Sequence, residues 1–257
     1  MVIWTIANQK GGVGKTTTVI SLAGLLAERN FRVLLIDTDP HASLTSYFQY
    51  DSDQLPVSLY DLFAEPAKVK SEIEQVILPT EIPNISLIPA SMALATLDRV
   101  LGEKEGMGLF LKKQLTLLED DYDFVLIDCP PVLGVMMVNA IAACEKILIP
   151  VQTEFLASKG LDRMISTLSV MKKSAGVSFK YCIIPTLYDK RTRASINTLL
   201  LIKERYQEKV WNGVIPVDTK FRDASLQHVP ISIYAKRCRG VFAYETLLNY
   251  LLQAEFY

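Results

Sequence analysis

Histidine is almost missing from this chain: His41 and His228 are the only two among 257 residues. A metal site built on histidines is therefore not expected. Cysteine is sparse too. Cys129, Cys144, Cys182 and Cys238 stand far apart and form no C-x-x-C pair. That spacing argues against zinc, a dithiol or a disulfide framework, and reads as buried or half-buried thiols. No apolar run approaches the roughly 18 residues that cross a bilayer, and the first residues lack the succession of charged, apolar and cleavage segments of a secretory signal. The expected location is the cytoplasm. Excess charge is missing as well: 27 Lys and Arg face 28 Asp and Glu, a net −1, so no global field draws the chain to nucleic acid or membrane. Without repeats, low-complexity tracts or a linker, the expected organisation is one domain over residues 1–257.

Apolar residues are plentiful, half of the composition, and suffice for a large core. They fall in short apolar runs that alternate with helical periods. This pattern predicts an α/β fold with a mostly parallel, twisted sheet covered by helices on both faces. Strands are expected at 2–7, 32–37, 85–89, 123–128, 146–151 and 181–187, with a short one at 210–215. Helices are expected at 16–29, near 59–63 and 68–76, and at 92–101, 108–118, 134–143, 156–173, 194–206 and 239–253. Residues 38–83 hold Pro40, Pro56, Pro66, Pro79 and Pro83 and look less regular.

The first strand and first helix are joined by Lys10-Gly11-Gly12-Val13-Gly14-Lys15-Thr16-Thr17. Strand, glycine loop and helix are the context of a phosphate-binding loop. Glycines let consecutive N–H groups turn toward one anion, and the new helix adds its positive end. Lys15 would reach the β/γ-phosphates, and the Thr16 hydroxyl would sit on Mg²⁺. The loop departs from G-x-x-x-x-G-K-[ST], because Gln9 stands where the first glycine belongs and a second lysine, Lys10, precedes the glycines.

Two aspartate-tipped strands complete the candidate site. The second strand ends in Asp37-Thr38-Asp39-Pro40, and ligands gather at the carboxyl ends of strands in such sheets. An aspartate there can orient a water or accept its proton. The apolar run 124–127 ends at Asp128, a Walker B pattern in which the carboxylate holds Mg²⁺ directly or through water.

The loop Lys10 to Thr17 resembles the deviant phosphate loop of the ParA/MinD family of ATPases. Pro130-Pro131, Gly134, Asn139-Ala140 and the run 149–154 are similar to that family's switch segment and the strand behind it, and the likeness extends from residue 2 to about 250. It implies a P-loop NTPase fold of Rossmann-like type, with ATP/ADP and Mg²⁺ as ligands and slow hydrolysis of ATP to ADP and phosphate. It implies that Lys10 crosses a homodimer interface to the partner's nucleotide, as an arginine finger does. Asp37 would lie near the magnesium shell and Asp39 would position the attacking water. Pro216 would pack on adenine, with Val217 or Asp218 offering backbone contacts. The family often continues D-x-D-P with Gln-Gly-Asn, whereas this chain has His41-Ala42-Ser43, and no catalytic task falls to His41.

Between residues 180 and 239, twelve Lys or Arg face five Asp or Glu, a local +7. Such asymmetry fits a polyanion face and salt-sensitive DNA contact. The resemblance supports DNA, because Asp189-Lys190-Arg191-Thr192 is similar to a family segment whose arginine contributes to nonspecific binding. The candidate contacts are Lys190, Arg191, Arg193, Lys220, Arg222, Lys236 and Arg237. Many members carry arginine after Ile-Pro, where this chain has Val217. Membrane attachment through a basic amphipathic tail is not expected, since no Lys or Arg follows Arg239.

Finer resemblance, at 39–41, 213–219, 221–226, 232–234 and 239–244, is to ParA-like proteins of chemotaxis clusters, often called ParC. It implies placement of chemosensory arrays at a cell pole, with an adaptor and a polar hub protein as partners, and nucleoid association. The alternatives are a plasmid or chromosome partitioning ATPase, a flagellar-number regulator, and a metabolic P-loop enzyme such as an ATP-dependent ligase.

Overall fold

The computed structural model describes residues 1–101, 107–175 and 179–256. In chain order the elements are β1 (Val2–Ile6), α1 (Lys15–Glu28), β2 (Val33–Asp37), α2 (Ser43–Tyr47), α3 (Leu59–Ala64), α4 (Lys70–Ile73), β3 (Leu78–Pro79), β4 (Ile85–Ile88), α5 (Leu94–Leu101), α6 (Phe110–Leu115), β5 (Phe124–Asp128), α7 (Val135–Ala143), β6 (Lys146–Gln152), α8 (Ala157–Ala175), β7 (Lys180–Thr186), α9 (Arg193–Tyr206), α10 (Lys220–Leu226), α11 (Ile231–Tyr234) and α12 (Arg239–Phe256).

Seven strands form one sheet in the order β3-β4-β2-β5-β1-β6-β7. The short edge strand β3 is antiparallel to β4, and every other pairing is parallel. The sheet's alternation builds two cores. Ile3, Leu34, Ile36, Val125, Ile127, Ile147 and Ile149 face one way, onto a layer that includes α3, α6, α7 and α8. Trp4, Ile6, Val33, Leu35, Leu126 and Leu148 face the other way, onto α1, α11 and α12. Because both faces are covered, Val33 to Asp37 is buried at every position, and each large aliphatic side chain there contributes about 1.5–3 kcal/mol of burial. Phe124 is gripped edge-on by Trp4 and Phe31, at centroid distances of 5.2 and 5.1 Å.

The predicted strands at 2–7, 32–37, 85–89, 123–128, 146–151 and 181–187 all appear, with ends moved by at most one residue. The short strand expected at 210–215 does not form. Only two isolated bridges, Ile183 with Val210 and Tyr188 with Pro216, mark the segment. The chain folds sharply there: a Cβ on Gly213 would meet the Trp211 ring at 2.3 Å. The stretch 38–83 contains α2 and β3, which the sequence pattern did not announce.

Candidate nucleotide site

The site lies at the carboxyl ends of the three central strands. β5 sits between β2 and β1, so Asp128 is in register with Asp37 on one side and Ile6 on the other. The chain leaving Ile6 becomes the glycine loop. Gly12 and Gly14 have φ of +72° and +89°, conformations that a Cβ disfavours. Gly14 caps α1, so the loop's amides and the helix start share one end.

Side chains lock this loop from several elements. Thr186 at the end of β7 donates to the Val13 carbonyl at 2.8 Å. Thr18 Oγ1 donates to the Gly14 carbonyl at 2.7 Å, and Asn8 Nδ2 donates to the Pro150 carbonyl at 2.7 Å. Lys15 is buried, and its Nζ donates across the loop to the Lys10 carbonyl at 3.0 Å. Burial lowers the Lys15 pKa, while Asp128, Cys129 and Asp39 pull it back up.

Thr16 Oγ1 donates to Asp128 Oδ2 at 2.6 Å. The other Asp128 oxygen, Oδ1, is buried without a hydrogen-bond partner. Burial, reinforced by Asp37 next door, raises the Asp128 pKa to about 8. An orphaned, buried carboxylate oxygen beside a threonine hydroxyl is a donor set that suits a hard cation. Thr16 and Asp128 therefore fit the magnesium expected of them, and the ion, when bound, would neutralise phosphate charge. Among the described residues no group of three or more His, Cys, Asp and Glu forms a separate metal cluster.

Asp37 is placed differently. Its Oδ2 accepts from the Thr45 amide at 2.8 Å and the Thr45 hydroxyl at 2.7 Å, and its Oδ1 accepts from the Asp39 amide at 3.1 Å. Burial still lifts its pKa to about 6. Both oxygens are already engaged, so the geometry makes Asp37 the anchor of the 38–45 turn. Asp39 emerges from that turn, its side chain 17% exposed, with Oδ1 taking the His41 amide at 3.0 Å and His41 Nδ1 at 2.9 Å.

Lys10 extends outward, and its Nζ meets Glu154 Oε1 at 2.5 Å. Glu154 precedes α8, and Gly160 on α8 lets that helix come close: a Cβ there would meet Lys10 Cβ at 2.9 Å. Neither Glu154 nor Gly160 was assigned a role from the sequence; Thr45 and Thr186 were not singled out at all, since nothing in their spacing marks them.

Pro216, Val217 and Asp218 line a cavity of about 270 Å³ with Gly14 and Thr17 of the phosphate loop. The Val217 amide donates to the Tyr188 carbonyl at 3.0 Å, and the Asp218 carboxylate accepts from the Lys220 and Gly240 amides.

The proposed DNA residues are all exposed. Lys190, Arg191 and Arg193 lie where β7 turns into α9, Lys220 and Arg222 on α10, and Lys236 and Arg237 just before α12. Among the described residues two of them are ion-paired: Arg191 with Asp189 at 2.7 Å and Lys220 with Asp223 at 2.9 Å. Arg191 pulls the Asp189 pKa down to about 2. Arg222 also lines the 270 Å³ cavity. No helix among the described residues is long and apolar enough to cross a membrane.

Comparison with known proteins agrees with this geometry. Residues 1–181 match the family described as AAA domain. The chromosome-partitioning ATPase Soj of Treponema pallidum is 35% identical over 241 residues, covering 93% of this chain and 92% of that one. The chromosome partitioning protein ParA of Caulobacter vibrioides is 33% identical over 256 residues, 98% of this chain and 94% of that one. The crystal structure of cobyrinic acid a,c-diamide synthase from Mycobacterium smegmatis with bound ATP analog and magnesium has a TM-score of 0.84 at 33% identity, over 98% of this chain and 95% of that one. With its loop, its Asp128–Thr16 pair and these relatives, the chain belongs to the ParA/MinD family of P-loop ATPases and takes ATP and ADP with magnesium.

Proposed function

We propose that this chain is a positioning ATPase: two copies close face to face on ATP, the pair binds DNA without sequence preference, and hydrolysis releases it. Lys10 carries the reading. Its amine leads out of the loop to a surface carboxylate, with side chains 27% and 47% exposed for Lys10 and Glu154, so it is placed to change partners. Phe155 and Leu156, which follow Glu154, and Val132 and Leu133, which follow the Walker B strand, are exposed apolar side chains that suit burial against a second copy. Lys10 would then neutralise phosphate charge in the other subunit, Lys15 would hold the β/γ-phosphates, and Asp39 would position the attacking water.

The +7 stretch between residues 180 and 239 supports DNA as the surface that is bound. The resemblance at 39–41, 213–219 and 239–244 supports chemosensory arrays as cargo, with polar enrichment through an adaptor and a hub protein. Partitioning of a plasmid or chromosome is the alternative cargo. The test is size-exclusion chromatography of wild type and Asp39→Ala with ATP and Mg²⁺, with and without DNA, over a salt series. An ATP-dependent dimer, trapped by Asp39→Ala and binding DNA in a salt-sensitive way, is the expected result; a monomer under all conditions would overturn it.

A ligase reading also has support, since the diamide synthase is as similar in sequence as the partitioning proteins. A ligase would turn ATP over only with a carboxylic acceptor and a nitrogen donor. Turnover with ATP and Mg²⁺ alone favours the positioning reading.

A further inference from the structure

Asp39 has two carboxylate oxygens and the structure uses them unequally. Oδ1 receives both the His41 amide at 3.0 Å and the His41 ring Nδ1 at 2.9 Å. No hydrogen bond to Oδ2 is formed among the described residues. The His41 side chain is 78% exposed while the Asp39 side chain is 17% exposed, so the ring lies on the solvent side of the carboxylate. A tight turn holds it there. The Ala42 amide donates to the Asp39 carbonyl at 2.8 Å, and Ala42 itself is fully buried at φ +53°. A left-handed alanine is a costly conformation that persists only where its surroundings over-determine it.

We propose that His41 is a positioning residue for ATP hydrolysis, its ring N–H fixing Oδ1 of Asp39 so that Oδ2 is the oxygen left to accept from the attacking water. This rests on the reading of Asp39 as the water-positioning carboxylate and adds the group that orients it. The ring must carry its proton on Nδ1 to donate. A carboxylate held by a fixed donor is limited to one rotamer, and its catalytic oxygen then spends no time turned away. His41 acts through Asp39, the group its ring contacts.

The experiment measures ATP turnover and KM for wild type, His41→Leu, His41→Asn, Asp39→Ala and the Asp39→Ala/His41→Leu double variant. His41→Leu removes the ring donor, keeps the bulk and leaves the residue-41 amide on Oδ1. It should lower kcat about two- to tenfold, the worth of one hydrogen bond, with KM for ATP unchanged. His41→Asn places a side-chain N–H near the same position and should restore kcat to within about twofold of wild type. In the Asp39→Ala background, followed by single-turnover phosphate release, His41→Leu should cost nothing further. Wild-type kcat in His41→Leu, no rescue by asparagine, or an equal loss without Asp39 would each overturn the proposal. Wild-type turnover in Asp39→Ala is a different failure: it removes the underlying reading, whatever His41 does.

Discussion

Lys10 Nζ and Glu154 Oε1 of the same subunit meet at 2.5 Å, so the lysine that would serve a second subunit is engaged at home. The two states compete for one amine. Any pairing across subunits must first break this one, and an exposed pair of this kind is worth about 0.2–1 kcal/mol.

Removing the home partner should therefore favour the dimer. Glu154→Gln is expected to lower the ATP concentration at half-dimerisation by about two- to fivefold, read by analytical ultracentrifugation with Mg²⁺. The gap between variant and wild type should narrow in high salt, because screening weakens the home pair as well. A higher ATP requirement in Glu154→Gln would mean that Glu154 serves the dimer and does not restrain it.

Two neighbouring buried carboxylates set the behaviour with pH. Asp37 and Asp128 have pKa values raised to about 6 and about 8, above the usual range near 4. A raised folded value means that the folded state holds the proton more tightly, so the stabilisation is full below about pH 4 and is lost as pH climbs through the folded values. Without magnesium, the melting temperature should fall by a few degrees between about pH 5 and 8. Asp128→Asn should flatten the upper half of that slope. Magnesium with ADP should flatten it in wild type and not in Asp128→Asn. A melting temperature that rises over this window would contradict the burial argument.

Legibility followed from the kind of signal each element sends. The phosphate loop and Asp128 were readable because Gly14, Lys15 and Thr16 are fixed by backbone and phosphate chemistry, and because buried strands such as 124–128 leave continuous apolar runs. Helices α2, α10 and α11 span five, seven and four residues, too short to show a period. Glu154, Thr45 and Thr186 act through tertiary contacts with residues 144, 8 and 173 positions away; only the first and last are long-range, yet all three are spacings without a local rule. Asp37 shows the limit best. The family resemblance implies a place near the magnesium shell, while the Thr45 side chain that donates to its carboxylate sits on a helix the sequence did not reveal. The apparent strand at 210–215 failed for a similar reason: Trp211 folds over Gly213, which composition alone does not indicate.

Gly24 tests packing apart from chemistry. It lies in the middle of α1, where a Cβ would meet Pro230 Cβ at 2.4 Å and Ser232 Oγ at 2.9 Å. These atoms belong to α11 and the residue that starts it, so α1 and α11 must separate to admit a methyl. Gly24→Ala should destabilise the protein by about 1–3 kcal/mol, measured by urea unfolding, even though alanine is the better helix former. Unchanged or increased stability would show that α11 yields easily.

The basic residues divide by their partners, and that division predicts their effects on DNA. Arg191 and Lys220 are already paired with Asp189 and Asp223, while no ion pair engages Lys236 or Arg237 among the described residues. An unpaired cation meets a phosphate without first giving up a carboxylate. Lys236→Ala and Arg237→Ala should each reduce the slope of log K against log salt by about one unit. Arg191→Ala and Lys220→Ala should reduce it less, because each also exposes the aspartate that it had neutralised and so changes affinity more than counterion release. Arg222, on the wall of the 270 Å³ cavity, should weaken nucleotide binding when replaced by alanine and leave the salt slope nearly intact. Fluorescence anisotropy on a labelled duplex, repeated on an unrelated sequence, gives all five slopes. Equal effects at every position would mean that the charge acts as a diffuse field, without the residue-by-residue contacts proposed for it.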